Sequence, residues 1–194
     1  MYKAVIFDFF GVFCPDITMD WLKRTVPDHE SILPAFHTIC SKSDHGLLDK
    51  AGFYQELSAL THIPAEEITQ GVEGNVAIND SLVEWTKQLR ARGYKTACLS
   101  NGTQEWTLSL ITTHGLAELF DEIVLSSDLQ IAKPDPRIFK HALEKLGVRA
   151  SDTVFVDDRQ GHVDAAQSQG ITGILFTNTD QFIADFPDIP CDND

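Results

Sequence analysis

Apolar and polar positions fall into two regimes along this chain. Near the start, Ala4-Val5-Ile6-Phe7 runs unbroken into Asp8, and Gly11 follows three residues later. A short apolar run closed by a turn signal predicts a strand buried on both faces that ends at Asp8. From Cys14 to Asn79 no comparable run appears, and the spacing is helical. It predicts short helices over 19–26 and 31–39. A further amphipathic helix runs from Asp49 to about Leu60, with Phe53, Leu57 and Leu60 on one face, and another begins at Ala65 after Pro64.

From Ser81 the pattern alternates. Ser81 is the expected N-cap of a helix that carries Leu82, Trp85 and Leu89 and ends near Gly93. A strand over 96–99 ends at Ser100, and a helix over 104–114 is stopped by Gly115. Then come a strand over 122–125, a helix over 136–146, a strand over 154–156 running into Asp157-Asp158, a helix over 163–169 and a last strand over 173–176. Strands alternating with helices predict an α/β fold with a doubly wound parallel sheet. The expected core is 1–13 with 80–194, and the helical block 14–79 is an insertion. Beyond Phe186 the chain is rich in Pro and Asp and is expected to be loose.

Composition narrows the function classes. The chain has 194 residues, 43% hydrophobic and 23% charged, as expected of a globular protein with one sizeable core. It has 15 Lys+Arg against 29 Asp+Glu, a formal charge of -14. With no basic cluster, a nucleic-acid surface is not expected. There is no long uncharged apolar stretch for a membrane span, and because Met1-Tyr2-Lys3 leads straight into the first strand a signal peptide is not expected. Cys14, Cys40, Cys98 and Cys191 are far apart with no CxxC pair, which fits reduced thiols and a cytoplasmic protein. An anionic substrate would need local groups that reverse the field of the whole chain.

Those groups fall at equivalent places. Asp8 ends the first strand, Ser100-Asn101-Gly102 the second, and Asp157-Asp158 the fourth, while Lys133-Pro134 precedes the helix after the third. In an open parallel sheet, ligands bind beyond the carboxyl ends of the strands, so all four converge on one site. Each has a plainer reading as a cap, a turn or a solvated charge. Together they put three carboxylates around one crevice, and that needs a cation.

In these four motifs the chain resembles the haloacid dehalogenase-like (HAD) hydrolases. They stand here as Phe7-Asp8-Phe9-Phe10-Gly11-Val12, Leu99-Ser100-Asn101, Lys133-Pro134 and Phe155-Val156-Asp157-Asp158. The block 14–79 resembles the helical cap that many members insert after the first strand. The runs Leu125 to Leu129, Lys133 to Phe139 and Asp157-Asp158-Arg159 are similar to the glucose-1-phosphatase-like sugar-phosphate phosphatases. The resemblance implies a Mg²⁺-dependent phosphatase acting on a small phosphorylated metabolite, a sugar 1-phosphate or similar. Asp8 would be the nucleophile that takes the phosphoryl group. The metal would sit on Asp8, the backbone carbonyl of Phe10 and Asp158, with Asp157 close behind. Ser100 and the amides of Asn101 and Gly102 would hold phosphate oxygens, and Lys133 would neutralise the transferring group.

One position departs from the family pattern. Most phosphatases of the superfamily carry a second aspartate two residues after the nucleophile, which protonates the leaving group and activates water. Here that residue is Phe10. The metal-independent 2-haloacid dehalogenases also lack it, but they lack a pair like Asp157-Asp158. A dehalogenase and a low-turnover phospho-ligand-binding protein are therefore the alternatives. Losing the acid favours substrates with good leaving groups, such as anomeric or aryl phosphates. His45, Cys14 and Asp16 are candidates to replace it in part.

Overall fold

The structure is a computed structural model and describes residues 2–186. Five strands form one sheet in the order β3-β2-β1-β4-β5: β1 Ala4–Phe7, β2 Lys95–Ser100, β3 Glu122–Leu125, β4 Thr153–Asp157 and β5 Thr172–Leu175. All neighbours are parallel. Phe7 pairs with Cys98 on one side and with Val156 on the other. That register sets Asp8, Ser100 and Asp157 at one edge. The strand order reverses at β1, so Asp8 stands at the switch point where a parallel sheet opens a crevice.

Helices follow the strands and cover both faces: α5 Asp80–Ala91, α6 Ser109–Thr113, α7 Ser126–Leu129, α8 Pro136–Leu146, α9 Gln160–Ser168 and α10 Thr179–Asp185. Alternation along β1 decides which residue feeds which core. Ala4 and Ile6 pack with Ile138, Phe139 and Ala142 of α8 and Ala166 of α9. Val5 and Phe7 face Leu82, Trp85 and Leu89 of α5 and Phe182 of α10. The second core is aromatic, with Phe7 edge-on to Phe13 at 5.4 Å and Trp85 edge-on to Phe182 at 4.6 Å.

Between β1 and α5 lie four helices: α1 Ile17–Thr25, α2 His29–Asp44, α3 Lys50–Thr61 and α4 Ala65–Glu73. They pack on one another, and their apolar faces (Trp21, Leu22, Phe36, Phe53, Leu57, Ile68) merge with the aromatic core of the sheet. Among the described residues, no helix is long and apolar enough to cross a membrane.

The strands lie within a residue or two of the sequence expectation, and several helices differ. The expected helix 31–39 runs from His29 to Asp44 through Pro34. Its polar last turn, Ser41 to Asp44, looks like loop in the sequence, yet Ser43 and Asp44 face a cavity, and the stop is Gly46 at φ +69. Residues 104–108 are wound as a π-helix before α6 begins. Helices α7 and α10 were not expected at all. The tail expected to be loose, with Cys191, lies outside the described residues.

The N-cap of α5 is Asn79, not Ser81. Its Oδ1 accepts from the Leu82 amide at 3.2 Å and from Thr179 Oγ1 at 3.1 Å. Its backbone N–H donates to Phe13 O at 2.9 Å, and its Nδ2 donates to Val12 O at 3.3 Å. This anchorage to the segment after β1 fixes the helix start two residues earlier than Ser81 would. Asn79→Ala removes a cap and two further side-chain bonds, and we expect it to lower unfolding free energy by about 1–2 kcal/mol, read by urea denaturation.

Candidate active site

Asp8 leaves β1 buried, its amide donating to Val156 O at 2.8 Å. Its Oδ1 accepts from the Phe9 amide at 2.7 Å and from Lys133 Nζ at 2.9 Å. Lys133 Nζ also reaches Asp157 Oδ2 at 2.7 Å and lies 5.5 Å from the centroid of the Phe155 ring. The lysine side chain is 0% exposed. Its backbone is held by Asn101, whose Oδ1 accepts from Lys133 N at 2.8 Å and whose Nδ2 donates to Lys133 O at 3.0 Å. The residue after Ser100 thus aims the lysine.

Asp157 is fully engaged. Besides Lys133, its carboxylate accepts from the Arg159 amide at 2.9 Å and meets His162 Nδ1 at 3.0 Å. Both partner atoms are acceptors, so Nδ1 carries the proton. Burial lowers the His162 pKa against the pull of Asp157, which keeps the ring neutral. Burial alone would raise Asp157, but Lys133 and His162 outweigh it and hold the carboxyl far below its usual range. Burial opposes the charge on Lys133 too, and Asp157 and Asp8 reverse that and raise its pKa. One oxygen each from Asp8 and Asp157 and one ring nitrogen of His162 lie within 4.8 Å of one another.

Two carboxyls are under-compensated. Burial raises Asp8 well above the usual carboxylate range, with Lys133 opposing and Asp157 adding. Burial, with Asp157 next, also raises Asp158. The Asp158 carboxylate presses on Gly11: a Cβ built there would lie 2.3 Å from it, and Gly11 has φ +86. Only glycine suits that turn, and it brings Asp158 against the loop that carries the Phe10 carbonyl. An added divalent cation would favour both ionised forms, so this donor set fits one.

Asp8, Phe10, Asn101, Gly102 and Asp158 line a cavity of about 600 Å³ beneath the four-helix insertion. Ser100, Lys133 and Asp157 stand buried behind them. Among the described residues, the hydroxyl oxygens of Ser100, Thr103 and Thr107 are buried with no hydrogen-bond partner. Gly102 differs from expectation: its amide already donates to Ser126 Oγ at 3.1 Å, and its Cα makes room for Thr107 Oγ1 and the Phe10 ring. Of the candidate replacement acids, Cys14 does not line the cavity, and burial raises its thiol to about 11. His45 is bonded to Ser41 O and lines a separate shallow hollow. Asp16 lines the cavity but caps α1 through Met19 N at 3.1 Å.

The sequence reading missed Ser126, His162, Arg159 and Asp44. Ser126 follows β3 directly, so the strand-end rule that found Asp8 and Ser100 reaches it as well. His162 lies in the first turn after β4, and Asp44 and Arg159 show their place only once the cavity is seen.

Fold and site together define a hydrolase built on a Rossmann-like parallel sheet, with a polar cavity at the carboxyl edge of the strands. The family model of the haloacid dehalogenase-like hydrolases matches residues 2–170, and the chain belongs to that family. It is 25% identical over 186 residues to a sesquiterpene phosphatase of Aspergillus oryzae, covering 92% of this chain and 91% of that one. It is 33% identical over 86 residues to an (S)-2-haloacid dehalogenase of a Pseudomonas species, covering 44% of this chain and 38% of that one. A HAD family enzyme of Bacteroides thetaiotaomicron, solved with magnesium and inorganic phosphate, has the same fold, with TM-score 0.72, 22% identity and 90% and 94% of the two chains covered.

Lys133→Met leaves two buried carboxylates facing each other. Breaking a buried pair costs about 3–5 kcal/mol, and urea denaturation of the metal-free protein at pH 7 should read a loss of that order. Without the lysine the folded pKa of Asp8 rises further above its unfolded value. Such a group binds more protons folded than unfolded, so it stabilises below its unfolded pKa and that contribution is lost as pH rises. The deficit of Lys133→Met should therefore shrink from pH 7 toward about pH 5.

Proposed function

We propose that this hydrolase is a Mg²⁺-dependent phosphatase that acts on a small phosphorylated metabolite, a sugar 1-phosphate or similar, through an aspartyl-phosphate intermediate on Asp8. The observation that carries the reading is a cation deficit beside an anion deficit. The raised carboxyls of Asp8 and Asp158 line the cavity, and among the described residues the Ser100 hydroxyl buried behind the lining has no partner. A phosphomonoester with a divalent cation answers both.

The residues then divide the work. Asp8, the Phe10 carbonyl and Asp158 would hold Mg²⁺, with Asp157 behind them fixing Lys133. Bound there, the metal supplies positive charge shared between carboxylate and phosphate oxygens. Asp8 attacks phosphorus, Lys133 stabilises charge on the transferring group, and Ser100 with the Asn101 amide grips its oxygens. Gly102 adds close approach rather than a free donor, since its amide is bound to Ser126. The four-helix insertion acts as a cap. The cavity walls offer the substrate body aromatic faces, Phe36 and Phe53 from the insertion and Trp106 from the turn after β2, beside the polar Asp16 and Asp44. The match to a phosphatase over nearly the whole chain supports this reading.

A second reading is a 2-haloacid dehalogenase that uses Asp8 on carbon. Phe10 at the acid position and the match to the Pseudomonas dehalogenase favour it. The cation-seeking Asp158 speaks against it.

Asp8→Asn should fold like the wild type and lose all turnover in a screen of sugar phosphates, nucleotides and aryl phosphates with Mg²⁺. EDTA should stop the wild type and Mg²⁺ should restore it. Halide release from 2-haloacids at full rate in EDTA would establish the second reading instead.

A further inference from the structure

Phe10 leaves the phosphatase without an acid beside its nucleophile, and the insertion offers a replacement in the lining of the same cavity. Its titratable lining beyond Asp8, Asp158 and His162 includes Asp16, Asp20, His37 and Asp44. Asp16 is spent as a cap, and Asp20 and His37 are exposed. Asp44 is half-buried and ends α2, and among the described residues no hydrogen bond engages its carboxyl. Its backbone is tied to the phosphate end of the site: the Gly102 amide donates to Ser126 Oγ, and Ser126 Oγ donates to Asp44 O at 2.6 Å. The turn after it is fixed too, since a Cβ on Gly46 would lie 2.8 Å from Ser127 O.

We propose that Asp44 is the proton donor to the leaving group, and then the base for water, in place of the aspartate that Phe10 displaces. The proposal rests on the phosphatase reading. In the first step an Asp8 oxygen bonds to phosphorus as the bond from phosphorus to the alcohol oxygen breaks. That oxygen keeps the electron pair and takes the proton of the Asp44 carboxyl. In the second step the Asp44 carboxylate takes a proton from the water that attacks phosphorus, and the phosphorus bond to Asp8 breaks. Inorganic phosphate leaves, Asp8 is a carboxylate again and Asp44 is again protonated.

The surroundings suit both roles. Burial raises Asp44 to about 6, against Lys133, His45 and Arg159 and with Asp16 adding. A group there is part protonated and part ionised near neutral pH, the range a shared acid and base needs. Of the other charges on the elements packed around it, Lys42 is paired with Glu56 of α3, and Asp128 of α7 is held by Gln104.

The test compares two esters on the full chain with Mg²⁺: p-nitrophenyl phosphate, whose phenolate leaves unprotonated, and glycerol 3-phosphate, whose alkoxide does not. In Asp44→Asn, single-turnover cleavage of the alkyl ester should fall about 10²-fold. Nitrophenolate should appear in one stoichiometric burst followed by slow turnover, because the acyl phosphate forms and then waits for a base. Asp44→Glu should recover part of the alkyl rate. In the wild type, alkyl cleavage should decline as pH rises past about 6 while the nitrophenolate burst does not, a readout that needs no variant. Equal loss on both esters, no loss on the alkyl ester, or a wild type that cleaves only the aryl ester overturns the proposal and leaves the phosphatase reading standing. A wild type that cleaves no phosphomonoester in Mg²⁺ overturns both.

Discussion

Two carboxylates cannot stay buried side by side unless something positive stands between them, and here that is Lys133. Its ammonium group lies within 3 Å of an oxygen of Asp8 and of Asp157. Much of the site geometry serves to keep it there. Asn101 grips its backbone from the end of β2, Phe155 lies beneath it, and His162 and the Arg159 amide fill the acceptors of Asp157 that the lysine leaves. Residues far apart in the chain thus become one unit whose parts are not independent, since removing any one leaves a buried charge or dipole unmatched. A pair this costly to desolvate is weak evidence for stability and stronger evidence for chemistry.

The parallel sheet was legible because buried strands announce themselves. Ala4 to Phe7, Glu122 to Leu125 and Val154 to Val156 are apolar or nearly so, and each ends on polar residues at the same edge. The strand-end rule therefore located Asp8, Ser100 and Asp157-Asp158 from spacing alone. The helix ends were harder where two capping types compete, as Asn79 and Ser81 do, because a contact to Phe13 decides the matter and sequence pattern carries no contacts. Polar residues that line a cavity resemble polar residues in a loop, which is why the last turn of α2 was invisible. Asn101 is expected from the sequence to bind phosphate through its amide, and in the structure its side chain clamps the backbone of Lys133. The Gly102 amide was read as a phosphate donor, yet it faces Ser126.

The insertion and the sheet are not two bodies resting on each other. Phe9, Phe13, Trp21 and Phe36 belong to one continuous apolar core, and Ser126 bridges the loop after β2 to the end of α2. Cavity-lining residues of the insertion and of the loop after β2 are therefore set relative to each other by hydrogen bonds. That positional precision is what proton transfer across a cavity requires.

Asn79 also governs how the chain tolerates changes of length. The insertion leaves the sheet at Val12 and Phe13 and returns at Asn79, and these residues are bonded to one another. These bonds close the two ends of the insertion on each other, while Ser126, Glu105 and the shared apolar core tie its body to the sheet side as well. Doubling a loop costs only about 0.6 kcal/mol in closure entropy, so residues gained or lost in the connections between the insertion's helices, outside the shared core, hardly disturb β1 or α5. The carboxyl edge of the sheet is held by the strands, so changes of length are absorbed in the exposed connections of the insertion and not at Asp8 or Asp157.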